Sequence, residues 1–179
     1  MDTYTQKWTI LQERIFSLLC LRAGEKLSQR DIAKILKVSP TAITNSIPFL
    51  LQTKLISLEK TKTIHFLSFH REEQRAIELK RIENLKFIYL SGLSDYLERE
   101  LAGATVILFG SYSRGEDTKN SDIDLAVIER KEKRLSPEKY ELILQRRIHI
   151  LFYSSWKDIP KELKNNILNG ILLHGSVCL

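Results

Sequence analysis

Two aspartates stand one residue apart in Ser121-Asp122-Ile123-Asp124-Leu125-Ala126-Val127-Ile128. The apolar residues that follow read as a β-strand buried on both faces. At i and i+2 the carboxylates of Asp122 and Asp124 leave the same face, with Cα atoms roughly 6.5–7 Å apart. Like charges so placed repel, and burying them costs desolvation. A divalent cation between them offsets both costs, and Mg²⁺ typically takes one or two carboxylates plus substrate phosphates. Upstream, Ala104–Phe109 is a continuous β-type apolar run that ends in Gly110-Ser111-Tyr112-Ser113-Arg114-Gly115. A strand, a Gly-Ser turn and a helix start make an anion site, because Gly lets the backbone approach a phosphate and backbone donors point outward. Ser111 adds a hydroxyl and Arg114 a cation able to hold phosphate in a bidentate way.

Gly110-Ser111, Gly115, Ser121, Asp122 and Asp124 together resemble the signature of the DNA-polymerase-beta-like nucleotidyltransferase superfamily. The likeness is to its small prokaryotic "minimal" domains and covers about residues 93–179. The run Leu163–Gly175 looks like the closing helix and strand of those domains. The resemblance implies that Gly110, Ser111, Arg114 and Ser121 hold a nucleoside triphosphate. It implies that Asp122 and Asp124 ligate up to two Mg²⁺ ions. An acceptor hydroxyl would attack the α-phosphate and release pyrophosphate, with the metals neutralising the developing charge. Active members use a third carboxylate on a neighbouring strand. In Arg147-Ile148-His149-Ile150-Leu151-Phe152 the alternation puts Arg147, His149 and Leu151 on one face, and His149 falls where the acid is expected. Imidazole can accept a proton or bind a metal, but it suits Zn²⁺ better than Mg²⁺. Asp117 and Glu129 are the alternative acids. Nucleotide and Mg²⁺ binding are therefore the primary expectation, and transfer is the expectation that depends on His149.

The elements before this part read differently. Trp8, Leu11, Ile15, Leu18 and Leu19 follow one helical face and suit a helix from about Gln6 to Arg22, stopped by Gly24. Ser28 caps a second helix, with Asp31 three residues on as its box partner. Ser39-Pro40 starts a third, with Ile43, Ile47, Leu50 and Leu51 as the buried stripe. Thr41, Thr44, Asn45 and Gln52 fall opposite, where small polar groups suit base edges and phosphates. Pro48 removes a backbone donor and is expected to kink or shorten this helix. Leu55–Leu58 and Ile64–Phe69 form a hairpin whose tip carries Lys60 and Lys62. Residues of about 5–70 thus resemble a winged helix-turn-helix domain, which implies contact with DNA or RNA through Thr41, Thr44, Asn45, Lys60 and Lys62. A structural or protein-binding role is the alternative.

The expected fold is α+β. A winged helix-turn-helix spans residues 1–70 and a connecting helix 71–92, broken at Ser91-Gly92. A nucleotidyltransferase-like domain with a mixed sheet spans residues 93–179. The pairing resembles a subgroup of mostly archaeal two-domain proteins.

Composition agrees with this division. The 179 residues carry 28 Lys+Arg against 22 Asp+Glu, a formal charge of +6. Residues 1–75 hold 12 basic and 7 acidic side chains, or +5, and the rest hold 16 and 15, or +1. The basic excess belongs to the part expected to meet a polyanion. At 43% hydrophobic and 28% charged, disorder is excluded as the main state. Cys20 sits in an apolar run and Cys178 far from it, outside any CxxC pair, so no zinc or disulfide framework is expected. There is no secretory signal pattern and no transmembrane-length apolar run, so a cytoplasmic protein without membrane contact is expected. Lys131–Arg134 reads as a solvated loop and Trp156 as a core anchor, while His65, His70 and His174 read as structural or surface residues. Two partners follow from resemblance alone: a second copy of the chain, as winged-helix proteins often dimerise, and a HEPN-type protein, with which small nucleotidyltransferases are often paired. The runner-up to a transferase is a nucleotide-sensing regulator or antitoxin-like partner.

Overall fold

The computed structural model describes residues 8–61 and 64–177. The chain divides into two compact units, Met1–Lys80 and Arg81–Leu179. Lys62 and Cys178 lie outside the described residues.

In the first unit, helix α1 (Ile10–Leu21) starts later than the periodicity suggests. The cause is a capping box: the Gln12 amide donates to Thr9 Oγ1 (3.2 Å), and the Thr9 amide to Gln12 Oε1 (2.9 Å). Trp8 therefore precedes the helix, packing edge-on against Phe16 and Phe49. A two-residue strand β1 (Leu27–Ser28) leads into α2 (Gln29–Leu36), capped by Ser28 with Asp31 as expected. Helix α3 (Pro40–Gln52) is capped by Ser39 and runs through Pro48 for 13 residues. The expected shortening does not occur. Pro48 is exposed, so its ring meets no core, and only one backbone bond is forfeited. Strands β2 (Ile56–Lys60) and β3 (His65–Phe69) pair antiparallel, and β1 adds to β3, giving the order β1-β3-β2. Ile15, Leu19, Ile32, Ile43, Leu50 and Leu67 form a core that excludes water completely. Three helices closed by a hairpin make a winged helix-turn-helix. Buried Cys20 lies within this core and forms no disulfide.

Helix α4 (Gln74–Leu90) carries the division between units, and Ser91-Gly92 separate it from α5 (Leu93–Glu100). The second unit then runs β4 (Thr105–Phe109), α6 (Gly110–Arg114), β5 (Ile123–Ile128), α7 (Glu138–Leu144), β6 (Ile148–Tyr153), α8 (Lys161–Leu168) and β7 (Ile171–His174). The sheet order is β6-β5-β4-β7. β4 is antiparallel to β5 and β7, and β5 is parallel to β6, so the sheet is mixed as expected. Every residue of β4 is buried because both faces are covered. Val106, Leu108, Ile123, Leu125 and Val127 face one layer with Leu97, Tyr140 and Leu144. Ile107, Phe109, Ala126 and Ile128 face the other with Trp156, Ile159 and Ile167. Trp156 is thus the anchor its sequence position suggested. Among the described residues no helix is long and apolar enough to cross a membrane.

Candidate nucleotide site

Asp124 is the second residue of β5. In register it sits between Phe109 of β4 and His149 of β6. All three point to the face of Trp156 and α8, by the same alternation that sends Leu125 to the opposite core. That apolar layer leaves the ends of the strands uncovered, so Asp124 keeps 29% of its side-chain surface and His149 58%. His149 Nδ1 lies 3.5 Å from Asp124 Oδ1. The facing-strand position read from alternation is therefore the position the imidazole takes. Asp122 is exposed and immediately precedes β5, whose first residue is Ile123, two residues later than the start at Ser121 expected from sequence. The Ile123 amide donates to Arg147 O (2.8 Å), so this approach to the strand is pinned to the start of β6.

Gly110 closes the site from the β4 side. Its φ is +76°, a conformation side chains disfavour, and a Cβ there would stand 2.5 Å from Asp124 Oδ2. The missing side chain leaves a notch over the carboxylate. Ser111 follows as a half-buried residue of the five-residue helix α6, which Gly115 ends in a left-handed cap. Two other expected phosphate ligands have partners of their own. Arg114 Nε donates to Glu116 Oε2 at 2.8 Å on the surface. Ser121 Oγ accepts the Thr118 amide at 3.0 Å. Neither alternative acid lies on the strand facing Asp124. Glu129 follows the far end of β5. Asp117 is buried, taking the Asn84 amide (2.7 Å) and the Arg146 guanidinium (3.5 Å).

That last cluster was not read from sequence. Asn84 also donates to Tyr112 O (2.8 Å). The network thus joins α4, the turn after Gly110, the loop before Asp122 and the residues before His149. Its only linear signal was one Asn in a charged helical stretch. A cavity of about 730 Å³ opens beside Asp122, walled by Lys119, Arg146, Arg147, Glu138 and Leu142. It was likewise invisible in sequence, because α7 and the β5 approach meet only in the fold.

Residues 90–174 match the family model of the nucleotidyltransferase domain. The nucleotidyltransferase domain so matched contains Gly110, Asp122, Asp124 and His149 together. No curated protein matches the chain. Among solved structures, the adhesin competence repressor AdcR of Streptococcus pyogenes is similar at 21% identity, over 55% of this chain and 71% of its own, with a TM-score of 0.41. ZitR of Lactococcus lactis is similar at 20% identity, over 56% and 66%, with a TM-score of 0.42. HlyU of Vibrio cholerae is similar at 19%, over 50% and 77%, with a TM-score of 0.34.

In the winged-helix unit, Thr41, Thr44, Asn45 and Lys60 are all exposed, on the start of α3 and the end of β2. The Thr44 hydroxyl is within hydrogen-bond distance of Gln29 Oε1 (3.2 Å) and Pro40 O (3.1 Å), so it is oriented by α2 and α3. His70 and His174 are engaged structurally, with Lys54 O and with Ser94, respectively.

Proposed function

We propose that this protein binds a nucleoside triphosphate with a divalent metal at Asp122 and Asp124 and transfers a nucleoside monophosphate to an acceptor hydroxyl. The observation that carries the reading is the fit of Gly110 over Asp124: a backbone free of Cβ, at the end of a strand, directly above a carboxylate. A triphosphate needs such an approach, because its oxygens must reach backbone donors and a metal together. The donor chemistry of two carboxylates on one face fits Mg²⁺. That metal would supply charge neutralisation at the reacting phosphate.

The chain's own residues divide the remaining work. Gly110 and Ser111 hold the phosphates from the β4 side. Asp124 stays fixed in the sheet, while exposed Asp122 can turn toward the same ligand. The cavity beside Asp122, whose walls do not include the Gly-Ser turn, gives room for the acceptor. The exposed polar face of α3 and the basic wing suit a nucleic acid, either as acceptor or as the site at which the protein works.

A second reading is favoured by His149. With imidazole in place of a third carboxylate, the domain would bind nucleotide without turnover and report it through the winged helix. One experiment separates the two. The full chain is incubated with Mg²⁺ and each α-labelled nucleoside triphosphate, with DNA, RNA and protein acceptors. Transfer that disappears in Asp122→Ala/Asp124→Ala supports the transferase. Nucleotide binding without transfer supports the sensor, and absence of both overturns the nucleotide reading.

A further inference from the structure

Helix α6, which carries Gly110 and Ser111, is little more than one helical turn, too short to hold its shape in water without outside support. Its own ties are local: the Ser113 hydroxyl donates to Gly110 O (2.8 Å), and the Glu116 amide to Ser111 O (3.0 Å). Long-range support comes from Asn84 of α4, which belongs to the same compact unit as the site. Asn84 Nδ2 donates one hydrogen to Tyr112 O, within α6, at 2.8 Å, and the other to Asp117 Oδ1 at 2.7 Å. The Tyr112 hydroxyl returns to Asn84 O (3.5 Å), so α4 and α6 are tied in both directions. Asn84, Tyr112 and Asp117 are each 2% exposed, so water does not compete for these bonds.

Asp117 carries the constraint onward. It directly precedes the Thr118–Ser121 turn, in which the Thr118 amide donates to Ser121 Oγ (3.0 Å) and the Ser121 amide to Thr118 O (3.0 Å). Asp122 follows that turn. One side-chain amide is thus bonded both to the helix that carries Gly110-Ser111 and to the loop that leads to Asp122. The identity of the residue matters, because Asp has no hydrogen to give, a serine hydroxyl has one, and Gln is a methylene longer. We infer that Asn84 is a positioning residue for the nucleotide site, holding the phosphate-binding turn and the Asp122 approach in a set relation to each other. The inference rests on the nucleotide reading and takes from it the roles of Gly110, Ser111 and Asp122. A buried side chain then governs affinity, because a ligand that engages the turn and Asp122 together binds well only when the two are correctly spaced.

The test is equilibrium dialysis of the full chain with each labelled nucleoside triphosphate and Mg²⁺, at a temperature where circular dichroism shows every variant folded. Asn84→Ala should lower nucleotide affinity about 10–100-fold, the range seen when groups that orient a binding site are removed. Leu97→Ala truncates the core of the same unit on α5 and should lower the thermal midpoint while leaving affinity unchanged. Asn84→Asp with Asp117→Asn exchanges the two groups. It restores a donor and an acceptor between these positions and keeps one carboxylate in the cluster with Arg146, but it turns an acceptor on Tyr112 O. The exchanged pair should recover the midpoint lost in Asn84→Ala and fail to recover the affinity.

Equal affinity in wild type and Asn84→Ala overturns the inference. So does a loss in Leu97→Ala as large as in Asn84→Ala, which would make the effect one of stability alone. Recovery of affinity by the exchanged pair also overturns it, because the bond to Tyr112 O would then be dispensable. Should Asn84→Ala not fold, the exchanged pair compared with wild type gives the same reading. Wild-type protein that binds no nucleoside triphosphate overturns the nucleotide reading and this inference together, whereas wild-type binding that is indifferent to Asn84 removes the inference alone.

Discussion

Asp117 and Arg146 form an ion pair from which solvent is excluded, with side-chain exposures of 0% and 1%. Neither charge can be stranded cheaply, because an unpaired buried ion loses its hydration without compensation. Asp117→Ala is expected to destabilise the second unit by about 3–5 kcal/mol, read by urea unfolding of the full chain. Replacing the pair together, Asp117→Leu with Arg146→Met, should recover most of that loss, since apolar substitutes often equal a buried pair. A double variant as unstable as the single one would show that the network's hydrogen bonds, through Asn84, hold the unit rather than its charges.

Gly110→Ala tests the notch over Asp124. The added methyl meets a carboxylate oxygen in a left-handed backbone conformation. Nucleotide affinity should fall at least tenfold in equilibrium dialysis. The thermal midpoint should move far less than for a core truncation, because Gly110 is only half-buried. Unchanged affinity would remove Gly110 from the phosphate site.

Pro48 offers a test in the other unit. It interrupts the hydrogen-bond ladder of α3 where the Thr44 carbonyl would be used, and its ring is exposed. Pro48→Ala should stabilise the winged-helix unit by about 1–3 kcal/mol, seen as a higher thermal midpoint. A lower midpoint would mean that the ring makes contacts that hold α3 in place.

Lys60→Ala should weaken nucleic-acid binding to a similar degree across sequences and lower the salt slope by about 1, as for a phosphate contact. Asn45→Ala should instead change sequence preference. Both are measured by fluorescence anisotropy over a salt series, and an unchanged slope in Lys60→Ala would take the wing off the nucleic acid.

Acid should loosen the start of α2. Hydrogen bonds from the Ser28 side chain, then from its backbone, hold the Asp31 carboxyl below its ordinary range. Because the folded value is depressed, the stabilisation is present above the ordinary carboxylate range and is lost as pH falls through the folded value. In an NMR titration Ser28→Ala should move Asp31 up toward that ordinary range. No movement would place the cause elsewhere.

Much of this architecture was legible in linear order, for identifiable reasons. The caps Ser28 and Ser39 act within three residues, and strand alternation is a local rule, so α2, α3 and the placement of His149 followed directly. What failed or was missed involved competition or distance. Thr9 sets the start of α1 because its capping box outweighs a continuing apolar face, and the expected start at Gln6 lies outside the described residues. Pro48 was tolerated because its surroundings are solvent. Asn84, Asp117 and Arg146 meet from three separate segments, and no spacing announces such a meeting. For Gly110 the turn was readable, but not the carboxylate that its missing side chain clears.

The parallel pairing of β5 with β6 also has a consequence for how the protein acquires its site. Parallel strands cannot be joined by a tight turn, so the chain must leave Ile128, form α7 and return before Ile148 can dock. Contacts of such sequence separation close late, after local helices and hairpins. Gly110 and Asp124 can meet as soon as the antiparallel β4–β5 pair zips, but His149 arrives only with the crossover. During synthesis and refolding, Gly110 and Asp124 are therefore together before the imidazole reaches them. The contact between Asp124 and His149 is thus the last part of this face to form and the first to go when β6 peels from the edge of the sheet.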